Sequence, residues 1–414
     1  MSGGAPIPVP VSGDRILCIP DLQKAASQKL PTSAREFYNS GSTDQITINE
    51  NSTAFSKYRL RPRVLVDVSK ADTSTALFGR RLEFPLGVSP AGMHAMAHPD
   101  GEKATSRACA KAGVAMGISS YANYPIADIR SACLSSSGIP QIDHVIQLYT
   151  MKDRAMQLRI IREAEARGCK AIFLTADSPV LGVRYNEWRN DFRTPEGLEF
   201  PIIERDTEMI RKVTHDDTFT AFNDDTHNWA RDIPWLKSVT GMEIWIKGSH
   251  YFPGLHRFLQ KLFCYAPRRE GLATAISACI LTAEDTLMAI ETGCHGIIVS
   301  NHGGRQLDGV PATIDALPEC VAAAAGRIRI HVDGGIRSGT DIFKALALGA
   351  ECCWVGRPAI WGLAYDGQAG VEIMLETLRI EFKRCMQLTG CNSVKDITLA
   401  CLGVYRVDGP LARL

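Results

Sequence analysis

The sequence predicts an α/β protein, a (β/α)8 TIM barrel with N-terminal flanking helices, and three observations predict it. Eight short apolar runs recur between residues 84 and 358, helical patterns separate them, and the polar residues able to do chemistry stand where the runs end. In order, the runs are "LGVSPAG", "VAMGISS", "HVIQLYT", "AIFLTAD", "EIWIKG", "GIIVSNH", "RIHVDGG" and "CCWVGRP". Continuous apolar runs suit strands covered on both faces, because successive side chains point to opposite sides.

Helical patterns such as 152–168 and 338–349 supply the crossovers that parallel strands need. Closing eight such units puts the active site at the C-terminal strand ends, where Ser119, Gln147, Tyr149, Asp177, Lys247, His302, Asp333 and Arg357 stand. Helices around 21–40 and 370–390 are expected to flank or plug the barrel. Residues 1–14, "MSGGAPIPVPVSGD", read as a loose tail, and 15–414 as a single barrel domain with an insertion at 249–279.

Composition narrows the function. Among 414 residues, 46 Lys and Arg balance 45 Asp and Glu, so neither nucleic acid nor an anionic membrane is expected as partner. The 13 cysteines lack paired CxxC spacing, so no metal site is expected and a reducing compartment is the default. No secretory signal and no apolar stretch long enough to cross a bilayer is present.

The last two loops, "DGGIRSG" (333–339) and "VGRP" (355–358), combine glycine amides with Arg337 and Arg357. That is where such barrels hold phosphate. No GxGxxG opens a strand-to-helix turn, so FMN fits better than a dinucleotide. Lys247 ends an apolar strand, where burying an ammonium is costly unless it faces an anion such as a flavin ring. In "VSNHGGRQLDG" (299–309), His302 is suited to moving protons near neutral pH, and Asp177 near it would stabilise an imidazolium. Arg184 and Arg305, aimed at one mouth, make an anionic substrate the expectation.

With "SNHGGRQLDG", "PAGMHAMAHPDGE", "QLYTMKDR", "TADSPVLGVR", "VDGGIRSGTDIFKALALGA" and "GRPAIWGLA" in order, the sequence resembles the FMN-dependent 2-hydroxy acid oxidase/dehydrogenase family of glycolate oxidase, lactate oxidase and the flavin domain of flavocytochrome b2. The resemblance covers 17–248 and 280–412. It implies that His302 removes a proton as a 2-hydroxy acid is oxidised to a 2-oxo acid, supported by Asp177. Arg184 and Arg305 would hold the substrate carboxylate and Tyr149 its hydroxyl, with Lys247 stabilising negative charge on the flavin. FMN would contact Ala91, Gly92, Ser119, Gln147, Thr175, Lys247, Ser300, Asp333, Gly334, Gly335, Arg337, Gly356 and Arg357. The resemblance also implies a homotetramer.

Three departures stand out. Phe37 occupies the first position of what is usually a Tyr-Tyr pair, which removes a hydroxyl from the substrate site, and Tyr121 replaces a tryptophan of the pocket wall. A substrate other than glycolate is therefore expected, in keeping with a role in specialised metabolism. Third, residues 249–279 have no counterpart in the pattern: they read either as a lid at the mouth or as a retained intron translated in frame. With no haem-binding domain ahead of the barrel and a charged loop at 193–232, oxygen is the expected acceptor, giving hydrogen peroxide. The C-terminal Ala412, Arg413 and Leu414 resemble a peroxisomal address, with the cytoplasm as the other location. Two alternatives stay open: an FMN-binding protein with impaired or no turnover because of the insertion, and an FMN barrel of another chemistry such as isomerisation.

Overall fold

The computed structural model describes residues 15–134, 141–203, 210, 212–248, 281–405 and 411–413. The tail at 1–14 and the insertion at 249–279 lie outside the described residues.

Eight parallel strands close into one barrel. They are β1 (Leu86–Val88), β2 (Ala115–Ile118), β3 (His144–Leu148), β4 (Ala171–Thr175), β5 (Glu243–Lys247), β6 (Gly296–Val299), β7 (Arg329–Asp333) and β8 (Cys352–Val355), one for each apolar run. Helices α1 (Gly101–Ala112), α2 (Ile126–Ala132), α3 (Arg154–Ala166), α4 (Trp229–Val239), α5 (Ala283–Glu291), α6 (Thr313–Ala324), α7 (Gly339–Ala347) and α8 (Arg357–Thr389) alternate with them. Local sequence starts these helices sharply. Asp153 accepts the Ala155 and Met156 amides ahead of α3, and Ser338 and Asp341 form a reciprocal capping box at α7. In α8, non-helical backbone at Asp366 and Gly367 separates two helical segments.

The strand period of two sorts the side chains. Ile146, Leu148, Ile172, Leu174, Ile244, Ile246 and Ile297 belong to the cluster shared with the surrounding helices. Val145, Ala171, Phe173, Trp245, Ile298 and Trp354 fill the barrel interior. There Trp354 donates to His331 at 3.0 Å, and the Trp245 ring lies 4.2 Å from the same imidazole. Gly296 makes room for it: a Cβ at that position would sit 2.2 Å from the Trp245 ring. Continuing the inward register toward the C-terminal ends gives Gln147, Thr175, Lys247 and Asp333, so the alternation that fills the core with apolar groups also sets a polar ring on top of it.

The expected flanking helices are Ile19–Lys29, Thr32–Asn39 and Ile46–Thr53, the first packed along α8. They flank the barrel. What plugs its N-terminal end is an antiparallel hairpin, Thr75–Leu77 with Arg80–Leu82, whose Leu77 and Leu82 join the interior cluster. A second small sheet pairs Tyr58–Leu60 with Leu402–Tyr405 and that strand with Leu411–Arg413. Among the described residues, no helix is long and apolar enough to cross a membrane.

Candidate active site

The polar ring opens into a cavity. The cavity is lined by Phe37, Ala91, Gly92, Ser119, Tyr121, Gln147, Tyr149, Thr175, Arg184, Lys247, His302, Arg305, Asp333, Gly334, Gly335, Arg337, Gly356 and Arg357. Residues scattered over the whole barrel thus converge on one mouth. Asp177 and Ser300 stand one layer back, both wholly buried.

His302 stands at the C-terminal end of the barrel and lines the cavity. It follows β6 with a left-handed φ of 55°, strained for a residue with a Cβ, and its backbone N–H donates to Ser300 Oγ at 3.1 Å. Its Nδ1 lies 2.8 Å from Asp177 Oδ1. Burial pushes the Asp177 carboxyl up, but His302, Lys247 and the Ser178 hydroxyl together hold it well below the usual carboxylate range. With Asp177 ionised, Nδ1 carries the proton and Nε2 keeps its lone pair, the tautomer a base requires. Burial pulls His302 below its ordinary value and Asp177 pushes it back up, while Lys247 and Arg184 oppose protonation, so the imidazole is neutral at neutral pH.

Gly248 fixes where Asp177 can be. It has φ 61°, and a Cβ there would lie 2.1 Å from Asp177 Oδ2. Gly248→Ala is therefore expected to displace Asp177 and to slow substrate oxidation by about tenfold or more, the loss of one oriented hydrogen bond to a charged group. Pre-steady-state rates at saturating substrate check this, and a wild-type rate would mean that the contact is relieved elsewhere.

Lys247 is buried but not alone: Nζ donates to Ser300 Oγ at 2.8 Å and lies 3.4 Å from Asp333 Oδ2. The anion that makes its burial tolerable comes from the protein itself. Among the described residues, Asp333 Oδ1 and Ser89 Oγ are buried polar atoms left without partners, as expected of groups facing a ligand. Gln147 accepts from the Ser120 amide at 3.2 Å and donates to Thr175 Oγ1 at 3.0 Å, which fixes its amide at the floor of the mouth.

Cations outnumber anions here. Burial holds Arg357 well below the ordinary guanidinium value, and Arg305, Arg337 and Arg184 lower it further. Burial likewise brings Arg337 down to about 10. Arg357 donates to the carbonyls of Tyr38, Gly303 and Ser40 at 2.7, 2.8 and 3.0 Å, and Arg337 donates to the Ile336 carbonyl at 2.8 Å. Among the described residues, neither guanidinium has a carboxylate hydrogen bond. Beside them a Cβ on Gly356 would meet only Ser89, at 3.8 Å, so the N-terminus of α8 is open to an anion. The unmet charge and open amides suit a phosphate monoester.

Arg184 and Arg305 do converge, and they share a residue that the sequence reading passed over. Glu187 Oε1 accepts from Arg184 Nη1 at 3.1 Å and from Arg305 Nη2 at 3.2 Å, while its Oε2 lies 2.9 Å from His215 Nδ1. Phe37 packs beneath this group, stacked on Phe192 at 4.6 Å with the Arg305 guanidinium 4.7 Å from its ring centre. Further round, Tyr121, Tyr149, Phe200 and Phe219 form an aromatic wall, with Asn223 Nδ2 donating to Tyr121 Oη at 2.9 Å. His215, Thr218 and Phe219 come from one face of the short helix His215–Phe222 in the loop after β4. No motif marked that loop; Glu187 could have been found from its spacing of three from Arg184. Asp308, the carboxylate of "VSNHGGRQLDG", lies away from the chemistry and caps the helix Ile46–Thr53 through the Thr47 amide at 2.8 Å.

A family model described as FMN-dependent dehydrogenase matches residues 26–250 and 276–403. Oxidase FUB9 of Fusarium oxysporum f. sp. lycopersici is 42% identical over 400 residues, covering 97% of this chain and 94% of its own. Human 2-hydroxyacid oxidase 1 is 40% identical over 390 residues, 92% of this chain and 95% of its own. Among solved structures, a mandelate oxidase superposes with a TM-score of 0.78 at 32% identity, covering 96% of this chain and 100% of that one.

Proposed function

The chain belongs to the FMN-dependent dehydrogenase family, and from that premise we propose that it oxidises a 2-hydroxy acid with an apolar side chain to the 2-oxo acid, passing electrons to oxygen to give hydrogen peroxide. The observation that carries this reading is the neutral, Asp177-backed His302 standing in the same cavity as Arg184 and Arg305.

FMN, when bound, supplies the two-electron acceptor. Gly334, Gly335, Arg337, Gly356 and Arg357 would hold its phosphate, with Gln147, Thr175, Lys247 and Asp333 toward its ring. The protein's own residues do the rest. Arg184 and Arg305 take the substrate carboxylate and fix its orientation, which counts for much of catalysis by positioning. His302 Nε2 takes a proton from the bound acid, and Asp177 stabilises the imidazolium that forms. Tyr149, half-buried in the wall, hydrogen-bonds the substrate hydroxyl.

The apolar preference rests on the wall of Leu181, Phe200 and Phe219 and on Phe37, which offers the carboxylate end no hydroxyl. Phe37→Tyr is expected to lower the KM for glycolate by about tenfold, since a hydrogen bond to a charged group contributes about 1.5–3 kcal/mol. Steady-state kinetics with glycolate and with a longer acid check it; an unchanged glycolate KM would sink that part of the reading. The acceptor is tested by oxygen uptake against peroxide formed, one for one if oxygen is used.

Two parts of the proposal rest on the resemblance and the terminal motif. Homotetrameric assembly is read by light scattering on the purified protein. Peroxisomal import through Ala412, Arg413 and Leu414 is read from the location of a tagged chain with and without that tripeptide.

A further inference from the structure

Three groups meet one buried carboxylate behind the arginine end of the cavity. Arg184, Arg305 and His215 all line the cavity, whereas Glu187, to which each of them is hydrogen-bonded, does not. Its side chain is 5% exposed, so it faces these three groups rather than water. The cavity therefore meets the nitrogen side of the cluster, with the compensating anion hidden behind it. Burial pushes Glu187 up, but Arg184, His215 and Arg305 hold it well below the usual carboxylate range. With two guanidiniums, one carboxylate and a neutral imidazole, the cluster carries one net positive charge, and a proton on His215 adds a second.

We propose that Glu187 is a positioning residue that organises Arg184, Arg305 and His215 into one anion-binding cluster, and that His215 serves in its protonated form as a third donor, so that substrate carboxylate binds together with a proton. This rests on the proposed function and names a determinant of substrate binding for it. The physical reason lies in the donors available. Arg184 is committed to Glu187, Gln306 Oε1 and the Arg305 carbonyl, and Arg305 to Glu187 and the Phe37 carbonyl. Phe37, packed edge-on to His215 with ring centres 5.5 Å apart, brings no donor to that end. A carboxylate has about four lone-pair sites to satisfy, and His215 is the remaining polar group of the cluster that lines the cavity.

The groups facing His215 settle the direction of the pH effect. Burial lowers it from its ordinary value, Glu187 raises it by hydrogen bond and charge, and Arg184 and Arg305 lower it; Phe37 and Phe192 are the aromatic neighbours. In the free protein the proton is therefore lost by neutral pH. A bound carboxylate favours the imidazolium, so affinity is greatest at acid pH and falls as pH rises.

The test uses the FMN-loaded full chain and pyruvate, a carboxylate without an abstractable hydrogen at C2, with binding read from the visible spectrum of the flavin between about pH 5 and pH 8. His302 also titrates in the cavity, so the informative part is what the variants change. His215→Asn, which keeps a neutral donor toward Glu187, is expected to weaken binding about tenfold at the acid end and to flatten the profile. It should raise the KM of a 2-hydroxy acid more than it lowers kcat. Glu187→Gln is expected to keep a transition but move it to lower pH, because the charge supporting the imidazolium is gone. Wild-type affinity of His215→Asn at acid pH, or an unmoved transition in Glu187→Gln, overturns the proposal. The pyruvate pattern without flavin bleaching by any 2-hydroxy acid would leave the cluster standing and defeat the proposed function; bleaching without the pattern does the reverse.

Discussion

Replacing His302 with glutamine is expected to slow substrate oxidation by about 10²- to 10⁴-fold, the usual contribution of a general base, while carboxylate affinity stays near that of the wild type. The separation follows from geometry. Arg184 and Arg305 are tied to Glu187, Gln306 and backbone carbonyls, none of which depends on the imidazole. The His302 ring is held through Nδ1 by Asp177, so its loss removes the proton acceptor and leaves the carboxylate end intact. Single-turnover rates together with pyruvate binding check both halves. A rate within about tenfold of wild type would place the base elsewhere.

The second large effect is expected for Asp177→Asn, which keeps the shape and removes the charge. Asp177 has no exposed surface, and among the described residues its Oδ2 has no hydrogen-bond partner, so its charge is answered by His302, Lys247 and the Ser178 hydroxyl. Without it the imidazolium formed in the reaction loses its support, and the rate is expected to fall by about 10²- to 10³-fold, a few kcal/mol of transition-state charge stabilisation. The pH profile carries the sign. On the proposed function His302 works as the neutral base, so the rate at saturating substrate rises with pH through its folded pKa, which already lies below its ordinary value. Asp177 raises that pKa, so Asp177→Asn shifts the rising limb to still lower pH while the plateau drops. A limb that moves to higher pH would contradict the assignment.

Much of the barrel and its mouth could be read in the sequence because both follow one rule, the alternation of side chains along strands that end in polar residues. Gln147, Thr175, Lys247 and Asp333 each lie in inward register with a core residue two positions earlier, so a strand assignment is also a site assignment. The hairpin at 75–82 escaped notice because its strands are three residues each, too short for a periodic signal. Glu187 and His215 escaped for another reason: they sit with Arg184 in one polar loop with no repeat, and their meaning depends on Arg305 arriving from the end of β6. Gly248 is similar, since its lack of a side chain matters only because Asp177 from β4 packs against it. Ser300 belongs to the opposite case. The motif containing it was legible, yet its hydroxyl is taken up by Lys247 and the His302 amide, one layer behind the cavity surface.

The central claim is that one chain binds FMN in this mouth and uses His302 on a 2-hydroxy acid. Mixing the FMN-loaded protein with a panel of 2-hydroxy acids in the absence of oxygen tests it most directly. The account predicts that the flavin colour bleaches, faster with acids bearing apolar side chains than with glycolate, and that His302→Gln slows the bleaching by about 10²-fold or more. Bound flavin that keeps its colour with every acid in the panel would contradict it.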